Sequence, residues 1–290
     1  MTTTNQEIGQ QNLTKALILI GRFKWLRLQE IGLFLWPDSP KKNQYQYAKH
    51  LVNLMVEKDL VFTQKMPNHA GTAVVLKEKG AKIVRENGFD VRRAKLSKDQ
   101  NGKPFWPVPR NWKHDLMAHG FAALSQAALE PFFSMEHKPK FWTELELRKS
   151  QIKSNRMLFE HLDPIRIPDL MIESDDGILG IEFERSRKFG QKNRENMIIN
   201  LVQTNKKEGV ARHNFSGIEP AKICFAFNPD EKEGNKKINH KRNIETSALA
   251  AMEKQGIQQL EIAFILLRIK NYGVVDFSYE IQRHQRIGNG

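Results

Sequence analysis

The chain has 290 residues, 40% of them hydrophobic, which is enough to bury a core and excludes a disordered polymer. Lys and Arg number 46 against 33 Asp and Glu, and the formal charge of +13 points to an anionic partner, of which nucleic acid is the usual one. Cys224 is the only cysteine, so an intramolecular disulfide and a zinc site built on cysteine pairs are both excluded.

The opening MTTTNQEIGQQN lacks the basic region and long apolar stretch of a signal peptide. No apolar run approaches the ~18–20 residues needed to span a bilayer. The expectation is a cytoplasmic chain with no membrane partner. The chain shows no internal repeat and is comfortable for two domains.

Residues 1–90 read as a small domain. ALILIGRF and LQEIGLFLW are short helices with one apolar face. SPKKNQYQYAKHLVNLMVEKDLV follows, where Ser39 can cap a helix and Pro40 can occupy its first turn. Ala48, Leu51 and Met55 repeat at helical spacing and should face the core, while Gln44, Gln46, Tyr47, Lys49 and Asn53 fall mostly on other faces. LVFTQKM and TAVVLK alternate as strands around PNHAG, and KEKGAKIVREN reads as a closing helix.

Three helices and a hairpin describe a winged helix-turn-helix, in which the third helix enters the DNA major groove and the hairpin touches backbone. Lys41, Lys42, Gln44, Gln46, Tyr47 and Lys49 would then meet the groove, with Lys65, Asn68 and His69 on the wing. The bland alternative is a solvated helix face, or a domain that binds protein.

The stretch 91–111, VRRAKLSKDQNGKPFWPVPRN, is basic and then rich in Pro and Gly. It reads as a linker, or as an irregular segment tracking DNA. Residues 112–290 form the second domain. WKHDLMAHGFAALSQAALE is a helix offering Leu116, Phe121, Leu124 and Ala128 to a core. FWTELELR reads as a strand, followed by a loop and helical turn through Phe159. PDLMIE and ILGIEFE are strands, GQKNRENMIINLVQTNKK an amphipathic helix, and KICFAFN a buried strand. EKEGNKKINHKRN is a charged loop, Ile244 to Lys254 a helix, and LEIAFILLRI a last strong strand. The order is that of an α/β domain with a mixed central sheet, so the whole chain is α+β.

Three carboxylates crowd one end of the hairpin PDLMIESDDGILGIEFE. With the DDG turn as pivot, Asp169 lies opposite roughly residue 183, and Glu182 and Glu184 project from one face of the returning strand. Like charges this close repel unless a cation or protons compensate. Mg²⁺ or Mn²⁺ would resolve the conflict, with Asp169 and Glu182 as ligands helped by the Phe183 carbonyl. Glu184 could hold an attacking water, and Lys188, or Arg185 and Arg187, could steady a phosphate. Glu pairs also occur on surface strands without a metal. Here Ile167, Leu170, Ile172, Ile178, Ile181 and Phe183 mark a largely buried hairpin, where unpartnered acids are costly.

On these residues the second domain resembles the PD-(D/E)xK nucleases of the restriction-endonuclease fold. Pro168 and Asp169 match the first half of the motif and Glu182 its acidic position. Glu184 stands where the family usually has Lys, and Lys188 is the candidate replacement. A narrower resemblance, over most of the chain, is to MobC-type plasmid mobilisation relaxases and related replication-relaxation proteins. The pieces that carry it are KHDLMAHG (His114, Asp115), IPDL (Pro168, Asp169) and IEFERSRK (Glu182, Glu184, Ser186, Lys188).

That resemblance implies a site- and strand-specific DNA endonuclease that nicks a transfer origin. Its partners would be a type IV coupling protein and an accessory DNA-binding protein, and His114 and Asp115 would line the cleft. Read without it, His114 or His119 is a helix-capping or partly exposed histidine. No pair of histidines brackets a single hydrophobic residue, and there is no G-x-x-x-x-G-K-S/T or G-x-S-x-G. The rival reading is a DNA-binding regulator or replication initiator whose nuclease-like domain does no chemistry.

Overall fold

The computed structural model describes residues 4–127, 140–148, 168–174, 177–184, 190–205, 221–233 and 235–285. The chain divides into two units, Met1–Leu129 with Asn271–Gly273, and Glu130–Lys270 with Val274–Gly290.

In the first unit, helix α1 (Asn5–Phe23) begins at a reciprocal cap. Thr4 Oγ1 accepts the Glu7 N–H at 3.3 Å, and the Glu7 carboxylate accepts the Thr4 N–H at 2.7 Å. Leu13, Ala16, Leu17 and Ile20 recur at helical spacing and are buried. Three residues form strand β1 (Trp25–Arg27), too few for alternation to mark them in the sequence.

Helices α2 (Leu28–Leu35) and α3 (Lys41–Glu57) follow. The expected Ser39 cap does not form. Pro40 is the N-cap of α3, and its carbonyl accepts the N–H groups of Asn43 and Gln44 at 2.8 and 3.0 Å. A Cβ on Gly32 would come within 2.6 Å of the Gln44 carbonyl oxygen, so bare backbone is what lets α2 and α3 approach this closely.

Strands β2 (Val61–Lys65) and β3 (Thr72–Leu76) pair antiparallel, and β1 adds beside β3, with Phe62 and Trp25 both opposite Val75. Their hairpin turns through Pro67–His69, where Asn68 and His69 hold φ of 55° and 57°. Helix α4 (Glu78–Glu86) closes against α1, and Gly80 is required there because a Cβ would meet the carbonyl oxygen of Leu60, just before β2, at 2.2 Å.

The segment 91–111 is folded rather than a plain linker. Strands β4 (Ser97–Lys98) and β5 (Pro104–Phe105) form a short hairpin, and Trp106 enters a buried cluster with Trp25, Met66, Val75, Trp112 and Leu116. Helix α5 (Trp112–Ala127) supplies two of those residues. This unit therefore runs through α5, past the division that the sequence marks at 91–111.

The second unit opens on an antiparallel meander of β6 (Lys140–Thr143), β7 (Leu170–Ser174) and β8 (Gly177–Glu184). FWTELELR does not run on as one strand, because Thr143 ends β6 and caps helix α6 (Glu144–Arg148). The Glu146 carboxylate accepts the Thr143 N–H at 2.8 Å, and Thr143 Oγ1 accepts the Glu146 N–H at 3.4 Å.

Helix α7 (Gln191–Asn205) precedes β9 (Ala221–Phe227), which runs parallel to β8. A small hairpin of β10 (Lys232–Glu233) and β11 (Lys236–Lys237) lies within the charged loop. Helix α8 (His240–Gln255), capped by Asn239, precedes β12 (Gln259–Lys270), parallel to β9, and β13 (Gly273–Gln285) ends the sheet. The sheet order is β13-β12-β9-β8-β7-β6, so the α+β class with a mixed central sheet holds. Phe225, Phe227, Ile262 and Phe264 pack on Met197 and Ile198 of α7 and on Ile244 and Ala248 of α8, so one face of the sheet is covered by these helices.

Candidate functional site

The β7–β8 register decides how the acids meet. Leu170 lies opposite Ile181, the last pair of the ladder, and continuing that register by one residue would set Asp169 beside Glu182, next to the expected position 183. Asp169 stands just before β7, and its Oδ2 accepts the Phe183 N–H at 2.9 Å. Its carboxylate is thereby held against the peptide that joins Glu182 to Phe183. By strand alternation the Phe183 carbonyl leaves the same edge as that N–H. Pro168, which precedes Asp169, has no N–H with which to continue the ladder.

Glu182 and Glu184 lie opposite Phe225 and Phe227 of β9, so both project to the face that α7 and α8 cover. Their residues are only 4% and 5% exposed. Glu184 meets Arg194 of α7, with Nη2 donating to Oε1 at 3.4 Å. Arg194 Nε is buried with no hydrogen-bond partner among the described residues.

A single cation relieving all three crowded acids is not what the described residues show. Among them no three His, Cys, Asp or Glu side chains form a group that could hold a metal ion. Arg194 supplies the counter-charge for Glu184, and the Phe183 amide supports Asp169. The Asp169 and Glu182 carboxylates and the Phe183 carbonyl are oxygen donors of the kind that a hard divalent cation takes together with water and phosphate. Arg185, Ser186, Arg187 and Lys188 lie outside the described residues. Arg194 escaped the sequence reading, although a signal exists. It sits three and four residues before Met197 and Ile198, on the apolar face of its helix, where a cation must have a buried partner.

His114 and Asp115 are tied into the first unit. Asp115 Oδ2 accepts the Trp25 indole N–H at 3.4 Å, and Oδ1 accepts the Asn111 side-chain amide at 2.8 Å and lies 3.8 Å from His114 Nδ1. Burial alone would raise the Asp115 carboxyl, but bonds and charge from His114, His119 and Trp25 hold it below the usual carboxylate range. One turn further on, His119 is fully enclosed, edge-on to Trp25 and Phe23 at 4.8 and 5.0 Å between centroids. Its Nδ1 has no hydrogen-bond partner among the described residues. Burial lowers the imidazole to about 4 against the opposing pull of Asp115 and Glu30. Beside it Arg27 and Glu30 form a buried ion pair, and Arg27 Nη1 donates to the Ala70 carbonyl at 2.8 Å. Burial would raise Glu30 too, and Arg27 holds it down.

On α3 the residues Lys41, Lys42, Gln46, Tyr47 and Lys49 are exposed, as are Lys65, Asn68 and His69 around the β2–β3 turn. Gln44 is the exception and is a correction to the groove-facing set. It is 7% exposed, and its Nε2 donates to the Trp36 and Pro37 carbonyls, both at 3.0 Å. Gln44 therefore fixes the turn between α2 and α3. Tyr47 packs its ring on Trp36 with centroids 5.5 Å apart and keeps its outer surface open.

Comparison with known proteins finds no matching family model, no matching curated protein and no matching solved structure. Among the described residues no helix is long and apolar enough to cross a membrane.

Proposed function

We propose that the chain is a divalent-metal-dependent DNA endonuclease whose first unit binds duplex DNA and whose second unit cuts it. The observation that carries this reading is the Asp169 carboxylate, just beyond the last β7–β8 pair, accepting the N–H of the peptide that joins Glu182 to Phe183. The meander β6–β7–β8 followed by α7 and parallel β9 supports the restriction-endonuclease-like reading of that unit. Helices α1 to α3 with the sheet β1-β3-β2 support the winged helix-turn-helix reading, with α3 as the groove helix and the β2–β3 turn as the wing.

Asp169, Glu182 and the Phe183 carbonyl would hold Mg²⁺ or Mn²⁺. When bound, the ion would lower the pKa of a coordinated water and neutralise charge on the scissile phosphate. Asp169 is oriented for its role by the Phe183 amide. Glu184, neutralised by Arg194, is poorly placed to take a proton from water. The position of the motif lysine is thus served by a guanidinium from α7, one donor of which is not engaged by a described residue. Nicking at a transfer origin, with a coupling protein and an accessory DNA-binding protein as partners, is the finer proposal and rests on the relaxase resemblance. The test is relaxation of supercoiled plasmid in Mg²⁺ or Mn²⁺ by wild type and Asp169→Ala. Equal nicking by both rejects the endonuclease.

A second reading, a DNA-binding regulator or replication initiator without chemistry, is favoured by the buried Glu184–Arg194 pair standing where a lysine would act. It requires DNA binding that survives chelation, with no cleavage at any metal concentration.

A further inference from the structure

We propose that the β4–β5 hairpin is a second nucleic-acid contact, a rigid basic finger that grips phosphates beside the wing without reading base sequence. This rests on the DNA-binding reading of the first unit and extends it to a surface outside α3 and the wing.

Residues 94–106 are pinned at both ends to the β2–β3 sheet. At one end the Ala94 N–H donates to the Leu76 carbonyl at 2.9 Å, where β3 finishes. At the other, Gln64 of β2 takes both main-chain groups of Trp106. Its Oε1 accepts the Trp106 N–H at 2.7 Å, and its Nε2 donates to the Trp106 carbonyl at 2.9 Å. The side-chain amide thus imitates a strand partner, and the buried Trp106 ring anchors the chain in the core. The turn is held by Asp99, whose Oδ1 accepts the N–H groups of Asn101 and Lys103, each at 2.9 Å.

A segment that merely joined two parts of the chain would have no need of such fastening. What the fastening presents is cationic. Lys95, Lys98 and Lys103 are exposed, and the adjoining Leu96 and Phe105 are 36% and 37% exposed. The acid of the turn, Asp99, spends an oxygen on two backbone amides. Lys65, the residue after Gln64, is exposed at the end of β2, so finger and wing spring from neighbouring residues of one strand. Lysines on a pre-ordered turn lose less entropy on binding than lysines on a free loop. Compact ammonium groups suit phosphate oxygens, and each neutralised phosphate releases counterions.

The test is fluorescence anisotropy of the full chain on two duplexes of about 30 base pairs and unrelated sequence, across a potassium chloride series. With Lys98→Ala/Lys103→Ala, the slope of log affinity against log salt should shrink by about 2, with equal loss on both duplexes. Gln64→Ala should give a similar loss, and adding it to the double lysine variant should change the slope no further, since all three changes remove one contact. A wild-type slope in the double lysine variant overturns the finger alone. Additive loss from Gln64→Ala also overturns it, as Gln64 would then act through the wing. Wild-type protein without salt-sensitive binding to either duplex overturns the DNA-binding reading and the finger with it.

Discussion

His119→Phe should remove a block of acid sensitivity from the first unit. The imidazole is enclosed by Trp25 and Phe23, and it faces Asp115, His114, Glu30 and Arg27. Folded, it takes a proton only near 4, whereas an exposed histidine does so near 6.5. Between those values the unfolded chain binds a proton that the folded chain refuses, so stability is full above about 6.5 and is lost as pH falls towards 4. Integrated over that window, the loss is about 2 kcal/mol by pH 5 and about 3 kcal/mol by pH 4. Glu30 and Asp115 also titrate low, but their contribution disappears only below the ordinary carboxylate range, so the two windows are separable.

Phe fills the same aromatic slot and cannot titrate. It also removes a buried nitrogen with no partner among the described residues. Urea unfolding followed by tryptophan fluorescence suits the measurement, because Trp25, Trp36, Trp106 and Trp112 all lie in the first unit, and only Trp142 lies elsewhere. The expected result is that wild type falls away from His119→Phe as pH drops from 7 to 5. Parallel curves, with a constant gap at both pH values, would refute the account of His119 as a histidine buried neutral.

Asp169→Asn keeps an oxygen for the Phe183 N–H, so thermal stability should hold while metal-dependent nicking drops to the level of chelated wild type. Arg194→Met strands a buried carboxylate and should cost about 3–5 kcal/mol; adding Glu184→Leu should recover most of it, as read by hydrogen exchange in β8. Gln44→Ala leaves two turn carbonyls without their donor and should destabilise by about 1–3 kcal/mol. Gln46→Ala should leave stability within about 0.5 kcal/mol but weaken binding to particular duplexes more than others.

How much was legible in the sequence depends on what kind of interaction set each feature. The long helices and strands were readable, since their apolar positions recur with the period of the element, as Leu13, Ala16, Leu17 and Ile20 do in α1. The β7–β8 hairpin was readable to within one residue. Its true register follows from Ser174 facing Gly177, which leaves two residues between the strands, a count that the DDG triplet alone does not fix. The Thr143–Glu146 cap was visible as T-x-x-E, but the run FWTELEL also alternates well enough to look like a strand. Gln44 and Arg194 are different. A polar residue on a helix looks solvated until the partner that buries it is known, and Trp36, Pro37 and Glu184 lie at other points in the chain. For the same reason the segment 91–111 reads as a linker, because the residues that fasten it are Gln64 and Leu76.

The Pro-Asp step carries an argument that the acids alone do not. At the start of β7 the chain has two ways to meet the Phe183 N–H, with main chain from an extended ladder or with a side chain. Pro168 cannot donate a ladder hydrogen bond, so the pairing ends at Leu170, and the Asp169 carboxylate takes the amide at 2.9 Å. The proline thereby turns a strand end into a carboxylate aimed at the Glu182–Phe183 peptide. Pro168→Ala restores an N–H and permits β7 to grow by another pair, which would compete with Asp169 for its place. Hairpin stability should be unchanged or slightly raised, since a ladder bond is gained, while metal-dependent nicking should fall with Asp169 and Glu182 both intact. Thermal unfolding and plasmid nicking, measured side by side, separate the two effects. Nicking at the wild-type rate in Pro168→Ala would show that the position of Asp169 owes nothing to the residue before it, and that its bond to the Phe183 amide is only a consequence of folding.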